Sequence, residues 1–341
     1  MLINHGTSNK IDTMIMSRTP LRLSFFGGGT DIENFYSTSY GAVLTTAIKK
    51  YIYISVIKRF HKDIRIGYSK TEIVDSPTAI ENQTVKQVLL NTKISSQVEI
   101  DIMADVPGSG TGLGSSSALT VGLLNALYLY EKGERKLAEE LAEEACDIEI
   151  TQMKKPIGKQ DQYAAALGSL RYLKFEKGGK VTSEKVKISK STKKDLEDSM
   201  ISFHIPNPNR DGDSILKDQN SKISKNTKSL ETMRDQAAEG KSYLESGDLE
   251  SFGKLLNKGW ELKRSLSDKI SNSSIDKYYQ IGIKSGAVGG KLSGAGGSGF
   301  LTFLCDTKHQ AKLQSGLKEL EQMKMRLEEQ GTSIVYTDQA D

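Results

Sequence analysis

The strongest chemical signal in the sequence is the run Pro107-Gly-Ser-Gly-Thr-Gly-Leu-Gly-Ser-Ser-Ser-Ala118. Glycine lets a backbone turn through positive φ and lets its N–H groups approach a ligand with no Cβ in the way. The run lies between an alternating stretch at 98–104 and a nearly all-apolar stretch at 118–130. The first predicts a strand and the second a buried helix. A helix starting here aims its unpaired N–H groups and positive end at the loop, which makes an anion site suited to nucleotide phosphates. Pro107, Gly108, Ser109, Gly110, Gly112, Leu113, Gly114, Ser115, Ser116 and Ser117 are therefore the nucleotide-binding candidates. A flexible Gly/Ser linker is the competing reading, and such close flanking by strand and helix disfavours it. No Lys-Ser or Lys-Thr follows, so this is not a Walker-type loop, and no βαβ unit surrounds it.

Two further glycine clusters could face the same ligand. In Arg18-Thr-Pro-Leu-Arg-Leu-Ser-Phe-Phe-Gly-Gly-Gly-Thr-Asp31, residues Gly28, Gly29, Thr30 and Asp31 offer close backbone approach and a carboxylate, with Arg22 as a nearby cation. A β-turn capped by Asp31 fits the same residues. In Gly286-Ala-Val-Gly-Gly-Lys-Leu-Ser-Gly-Ala-Gly-Gly-Ser-Gly299, residues Gly294, Ala295 and Gly296 could form a second backbone wall, with Lys291 as a phosphate partner. The alternative is a mobile loop between domains.

The elements that must position these clusters read as α+β. Strand patterns occur at 14–18 and 22–26 around a Thr19-Pro20 break, then at 51–58, 63–68, 169–175, 298–305 and 333–336. Helical patterns occur at 135–150, 213–246, 248–264 and 307–329. Strands and helices do not alternate regularly, which argues against a doubly wound parallel sheet. The length of 341 residues suits two units in contact. A polar, Lys-rich stretch near 176–195 suggests an N-terminal unit over 14–180 and a C-terminal unit over 181–341, after a disordered leader at 1–13.

Composition narrows the partners. Hydrophobic residues make up 37% and charged residues 26%, a globular profile. The net charge of +4 tolerates an anionic substrate, and the basic residues form no stripe that would imply nucleic acid. Mean hydropathy is −0.43, and no apolar run reaches the roughly 20 residues of a membrane span. Cys146 and Cys305 read as buried reduced thiols of a cytoplasmic protein. The four scattered histidines argue against a zinc site. A homodimer is compatible with all of this.

In this order and spacing the three clusters resemble motifs 1, 2 and 3 of the GHMP kinases, a family that includes galactokinase, homoserine kinase and mevalonate kinase. Residues 107–118 resemble the family's P-x-G-x-G-L-G-S-S-A loop, and Ser293-Gly-Ala-Gly-Gly297 resembles motif 3. The likeness runs from about residue 15 to about residue 336. It implies an N-terminal domain like ribosomal protein S5 domain 2, a ferredoxin-like C-terminal domain, and ATP with Mg²⁺ as the cofactors. Gly158-Lys-Gln-Asp-Gln-Tyr163 resembles the family's G-x-x-D-Q-[FY] segment, so Asp161 inherits contact with the attacking hydroxyl, and Arg22 a place beside it. Glu149 stands twelve residues before Asp161, where galactokinase-like members hold Mg²⁺. A serine of motif 2 would complete that site: Ser115 by alignment, with Ser116 one residue away.

Within the family, Gly27-Gly-Gly-Thr-Asp31 lacks the Glu-His pair of galactokinases and looks like the D-glycero-D-manno-heptose phosphate kinases. The segment around Arg210 is similar to one that approaches the sugar there. Gly114-Ser-Ser-Ser-Ala118 departs from the Gly-Gly-Ser-Ser-Thr usual in that group. The resemblance implies phosphorylation of D-glycero-D-manno-heptose 7-phosphate to the 1,7-bisphosphate. Arg22, Lys159, Arg210 and Lys291 are the candidate cations for the substrate's own phosphate. The alternatives are a GHMP kinase for another sugar or a mevalonate-type acid, and a non-catalytic ligand sensor.

Overall fold

The structure is a computed structural model that describes residues 14–337 apart from Ser109 and Pro208. The expected leader and the expected role of Ser109 therefore lie outside the described residues. Two long antiparallel strands organise the first sheet: β1 (Ile15–Phe26) and β2 (Gly41–Lys58). The Thr19-Pro20 pair does not divide β1 as expected. The register shifts between Pro20 and Leu21, so the missing proline N–H falls at a bulge and the strand continues.

The first half continues with α1 (Glu33–Tyr36), β3 (Ile64–Gly67), β4 (Thr71–Val74), α2 (Gln83–Thr92) and β5 (Val98–Ala104). After the glycine loop come α3 (Ser115–Lys132), α4 (Ala138–Cys146), α5 (Gln160–Leu167), β6 (Leu170–Phe175) and β7 (Val181–Lys185). The expected helix at 135–150 starts later, and from Asp147 to Gln152 it widens into a π-helical turn that carries Glu149. Such turns break the regular ladder and recur at functional sites.

The second half begins with α6 (Lys190–Ser199), β8 (Met200–Ile205), α7 (Gly212–Ser221), α8 (Thr227–Ser246) and α9 (Leu249–Ser265). It ends with α10 (Ser273–Lys284), β9 (Ala287–Leu292), β10 (Gly299–Cys305), α11 (Thr307–Gly316), β11 (Glu321–Met323) and β12 (Ser333–Thr337). The long helix expected at 213–246 is two helices. The Asn226 side chain between them donates to the Leu266 carbonyl, which fixes the turn. The helix expected at 307–329 stops at Gly316, and the chain then pairs with β8 as β11.

Among the described residues the first sheet has eight strands, in the order β12-β1-β2-β5-β3-β4, with β6 on the other stretch of β2 and β7 beyond it. The second has four, in the order β11-β8-β10-β9. Strands β7 and β12, both from the half expected to form the C-terminal unit, hydrogen-bond in the first sheet. The near-continuous apolar face of α3 fills the first core, and Trp260, Tyr279 and Phe303 anchor the second. Phe252 of α9 meets Phe25 and Phe26 of β1 edge-on, each at 5.2 Å between centroids, and so joins the halves.

The glycine clusters press together at this junction. Phe300 N–H donates to the Thr111 carbonyl at 3.1 Å, and Ser298 Oγ donates to the Gly110 carbonyl at 3.1 Å. A Cβ on Gly112, whose φ is +70°, would lie 2.3 Å from the Ser293 carbonyl oxygen. A Cβ on Gly294, at φ +75°, would lie 2.5 Å from the Gly112 Cα. Gly112→Ala is therefore expected to cost at least about 1–2 kcal/mol from backbone strain alone. Gly108→Ala, where a Cβ meets nothing within 4 Å, should be near neutral. Urea unfolding of the two variants checks this, and equal midpoints would remove the close approach as a constraint.

Candidate active site

The loop after β5 enters α3 through three left-handed glycines, Gly110, Gly112 and Gly114, with φ of 75°, 70° and 77°. Gly114 is the N-cap and has no side chain to satisfy the first-turn N–H groups. They open on a trough of about 910 Å³, lined by Pro107, Gly108, Gly110, Gly112, Ser115 and Ser116 from the loop and helix. Gly294 and Ala295 supply the facing wall. Two expected ligand contacts are instead internal. The Leu113 side chain is fully buried, and its carbonyl accepts the Arg22 N–H at 3.0 Å, so it ties the loop to β1. Ser117 is buried beneath the helix start and does not line the trough. Gly296 also lies off the trough, and its carbonyl accepts from Arg210 Nε at 2.7 Å.

Arg22 and Asp161 meet under this loop. Arg22 Nε and Nη2 donate to the two Asp161 oxygens, each at 2.7 Å, while Nη1 donates to the Gly112 carbonyl. Arg22 is 5% exposed, and two parallel bonds fix the plane of the carboxylate. Asp161 sits in the first turn of α5, whose N-terminus favours a negative charge. Both carboxylate oxygens retain capacity to accept a further hydrogen bond.

Glu149, fully buried, faces Ser116 rather than Ser115. Ser116 Oγ donates to Glu149 Oε1 at 3.1 Å, and Gln162 Nε2 donates to Oε2 at 2.8 Å. The Lys155 ammonium donates to Glu149 Oε1 at 2.7 Å and to Ser116 Oγ at 2.8 Å. A cation thus already sits between the two oxygens. Among the described residues no group of three His, Cys, Asp or Glu could hold a metal by itself. Mg²⁺ commonly takes one or two carboxylates and completes its shell with phosphates and water. Glu149 and Ser116 fit that pattern, provided that Lys155 gives way.

On the other side of Asp161 lies a smaller cavity lined by Arg22, Ser24, Asp31, Asp161, Lys263 and Lys291, with the Gly28–Gly29 turn as part of its wall. Asp31 is 2% exposed and accepts N–H groups of Gly29 at 3.0 Å and Gln160 at 3.1 Å. Burial, reinforced by the charge of Asp161, pushes its carboxyl above the ordinary value despite those bonds. Lys291 Nζ donates to the Phe25 carbonyl at 2.9 Å, and Lys263 Nζ donates to the Gly294 carbonyl. Burial holds the Lys263 ammonium down to about 8 and pushes Lys291 well below its ordinary value; the charge of Arg22 depresses both, and Lys263 adds to the depression of Lys291.

Three expected substrate contacts need correction. The Thr30 hydroxyl is buried and bonded to the backbone of Gly27 and Ala42, so it braces the glycine turn. Arg210 lines the trough and not the smaller cavity. Lys159 donates to the Gly179 carbonyl at 2.8 Å and lies over the Tyr36 ring, away from the cavity. Sequence reasoning missed Lys155 and Lys263. No local pattern marks Lys155. Lys263 did carry a signal: it continues the stripe Leu256, Trp260 on α9, where an apolar residue belongs.

Two family models match the chain: the GHMP kinases N terminal domain over residues 80–169 and the GHMP kinases C terminal over residues 241–321. The D-glycero-alpha-D-manno-heptose 7-phosphate kinase of Campylobacter jejuni is 32% identical over 325 residues, spanning 89% of this chain and 93% of that protein. A D-glycero-D-manno-heptose 1-phosphate kinase of Bacteroides thetaiotaomicron superposes with a TM-score of 0.77 at 23% identity, over 94% of this chain and 99% of the other. A mevalonate kinase superposes with a TM-score of 0.71 at 21% identity, over 92% and 99%. The two structural likenesses speak for the fold. No helix among the described residues is long and apolar enough to cross a membrane. The sequence likeness, the matched domain pair and the loop poised at a helix start agree: the chain belongs to the GHMP kinases, enzymes that use ATP to phosphorylate an alcohol group of a small molecule.

Proposed function

We propose that the chain transfers the γ-phosphoryl group of ATP to a hydroxyl of D-glycero-D-manno-heptose 7-phosphate, giving the 1,7-bisphosphate. The observation that carries this reading is the position of the Arg22–Asp161 pair. It stands between a trough edged by open N–H groups and a smaller cavity rich in buried cations. The similarity to the Campylobacter jejuni kinase supports the choice of sugar.

Phosphoryl transfer passes through a loose transition state, so positioning and charge neutralisation are the protein's main tasks. The open N–H groups of the loop around Gly110, Gly112 and Gly114 and the positive end of α3 hold the triphosphate in the trough. Asp161, its plane fixed by Arg22, accepts the O–H of the acceptor and aims the oxygen at the γ-phosphorus. The bond to the β-phosphate oxygen breaks as the new P–O bond forms, and the hydroxyl proton leaves toward Asp161. Arg22 offsets negative charge that develops at the attacking oxygen. Glu149 and Ser116 would hold Mg²⁺, which neutralises charge on the phosphate oxygens when bound. Lys155 would release Glu149 as the metal enters.

Two measurements test this. Asp161→Asn keeps an acceptor for Arg22 and should lower kcat by about 10²–10⁴-fold, with heptose 7-phosphate, galactose and mevalonate compared by coupled ADP release. Wild-type turnover in that variant removes Asp161 from the reaction, and a preference for galactose or mevalonate sinks the heptose assignment. ATP binding without turnover on any acceptor would mark a ligand sensor. Lys155→Met leaves Glu149 buried without its cation, so the metal-free variant should melt several degrees lower. Mg²⁺ should then raise its Tm more than that of wild type, and equal Mg²⁺ shifts would place the metal ligands elsewhere.

A further inference from the structure

Lys263 and Lys291 stand out among the groups that the phosphoryl-transfer step does not use. Their side chains come from different elements, α9 and β9, and reach the same small cavity. They are 7% and 6% exposed. Each donates to one backbone carbonyl, of Gly294 and of Phe25. An ammonium has three donors, so each keeps unused capacity. No carboxylate among the described residues forms an ion pair with either. Of the two acids in the cavity, Asp161 is taken by Arg22 and Asp31 by backbone N–H groups.

Burying two like charges together is costly, and a fold keeps such an arrangement when something offsets it. The same cavity holds a second kind of incomplete group. Ser24 Oγ and Gln160 Oε1 are buried and without a hydrogen-bond partner. The hydroxyl can donate to an anion, and the amide oxygen can accept from a sugar hydroxyl. Both lysines line this cavity and neither lines the nucleotide trough. The charge they await therefore belongs to the acceptor and not to ATP. The cavity measures about 90 Å³, several times the ~10–15 Å³ that one water needs, which suits a compact anion such as a phosphate group.

We propose that Lys263, Lys291 and Ser24 form an anion subsite that holds the acceptor's own phosphate group, and so set the enzyme's demand for a phosphorylated sugar. This rests on the sugar-phosphate reading above and assigns the residues that would enforce it. The charged groups facing the lysines are Arg22 on β1, Asp31 after the glycine turn, Asp161 on α5 and Arg210 before α7. Because burial depresses the ammonium groups in the free protein, anion binding draws protons in. Affinity should fall as pH rises through about 8, the value to which Lys263 is held.

Lys263→Met is the decisive variant. It replaces a buried ammonium with an apolar chain of similar length, so it should fold with a Tm at or above wild type at pH 7. The KM for the sugar phosphate at saturating ATP should rise roughly 10- to 100-fold, the loss of one charged hydrogen bond. The KM for ATP should stay within about twofold, as neither lysine meets the trough. Inorganic phosphate provides a readout independent of turnover. It should raise the Tm of the full-length wild type, and the rise should be lost in Lys263→Met. Lys291→Met should behave alike, and if loss of the Phe25 bond prevents its folding, Lys263→Met carries the test alone. An unchanged KM for the sugar phosphate, or an undiminished phosphate shift, overturns the subsite. Stabilisation by mevalonate in place of phosphate overturns the choice of anion. Failure of the parent reading looks different: the sugar phosphate is not turned over at all, while the phosphate shift still reports on the lysines.

Discussion

Much of the site depends on one ion pair between a buried arginine and a partly buried carboxylate. An arginine that is 5% exposed is held only if its charge and donors are met, and Arg22 has two partners: both oxygens of Asp161 and the carbonyl of Gly112. Removing the carboxylate would leave the arginine charged and dry, which is strongly destabilising. The pair therefore locks three parts of the chain into one geometry. It joins the middle of β1, the first turn of α5 and the glycine loop. The backbone adds a fourth tie, because Arg22 N–H also reaches the Leu113 carbonyl. The loop that would cradle phosphates is thus braced from beneath by the same residue that orients the carboxylate.

The charge around Asp161 is divided by side. Toward the trough, open N–H groups and a helix start face the space, beside Arg210 and the Glu149–Ser116 pair with its cation. Toward the smaller cavity, ionised side chains dominate: Arg22, Lys263 and Lys291 against Asp31 and Asp161. Preorganised dipoles suit a triphosphate, which brings its own countercation. Buried ammonium groups suit a single anion that arrives without one. On the proposed reading, the asymmetry would give the two substrates different addresses before either binds.

The glycine loop between strand and helix was legible in the sequence because its signal is local: glycines at alternate positions, a strand pattern before and an apolar run after. The Arg22–Asp161 pair was not local, with its members 139 positions apart, and only the family resemblance joined them. The family's spacing singled out Glu149, and the serine it meets is Ser116, one residue from the aligned choice Ser115. The π-helical turn at Asp147–Gln152 lies outside any helical-wheel count, and it sets which hydroxyl Glu149 meets. Thr30 and Leu113 were misjudged for a common reason. Residues inside a glycine-rich motif look ligand-facing, yet tight turns need some side chains to point inward and satisfy the backbone. The helices expected at 213–246 and 307–329 were over-extended, since a tertiary bond from Asn226 and strand pairing by β11 override helical propensity.

The two substrates meet across a junction, and the junction is fixed by close packing. Arg22, Ser24, Asp161 and the phosphate loop come from the first sheet and its helices, whereas Lys263 and Lys291 come from the second half. Their separation is set by Gly112 against Gly294, where no Cβ fits, and by Phe252 seated on Phe25 and Phe26. The returning chain adds β12 on β1 and a bridge between Ile48 and Leu327. With both ends of the second half tied to the first sheet, the ammonium groups keep a set distance from Asp161. If the proposed anion subsite holds, selection of the acceptor would fall to the length between its anion and its reactive hydroxyl, a quantity that glycines far from the chemistry help to define.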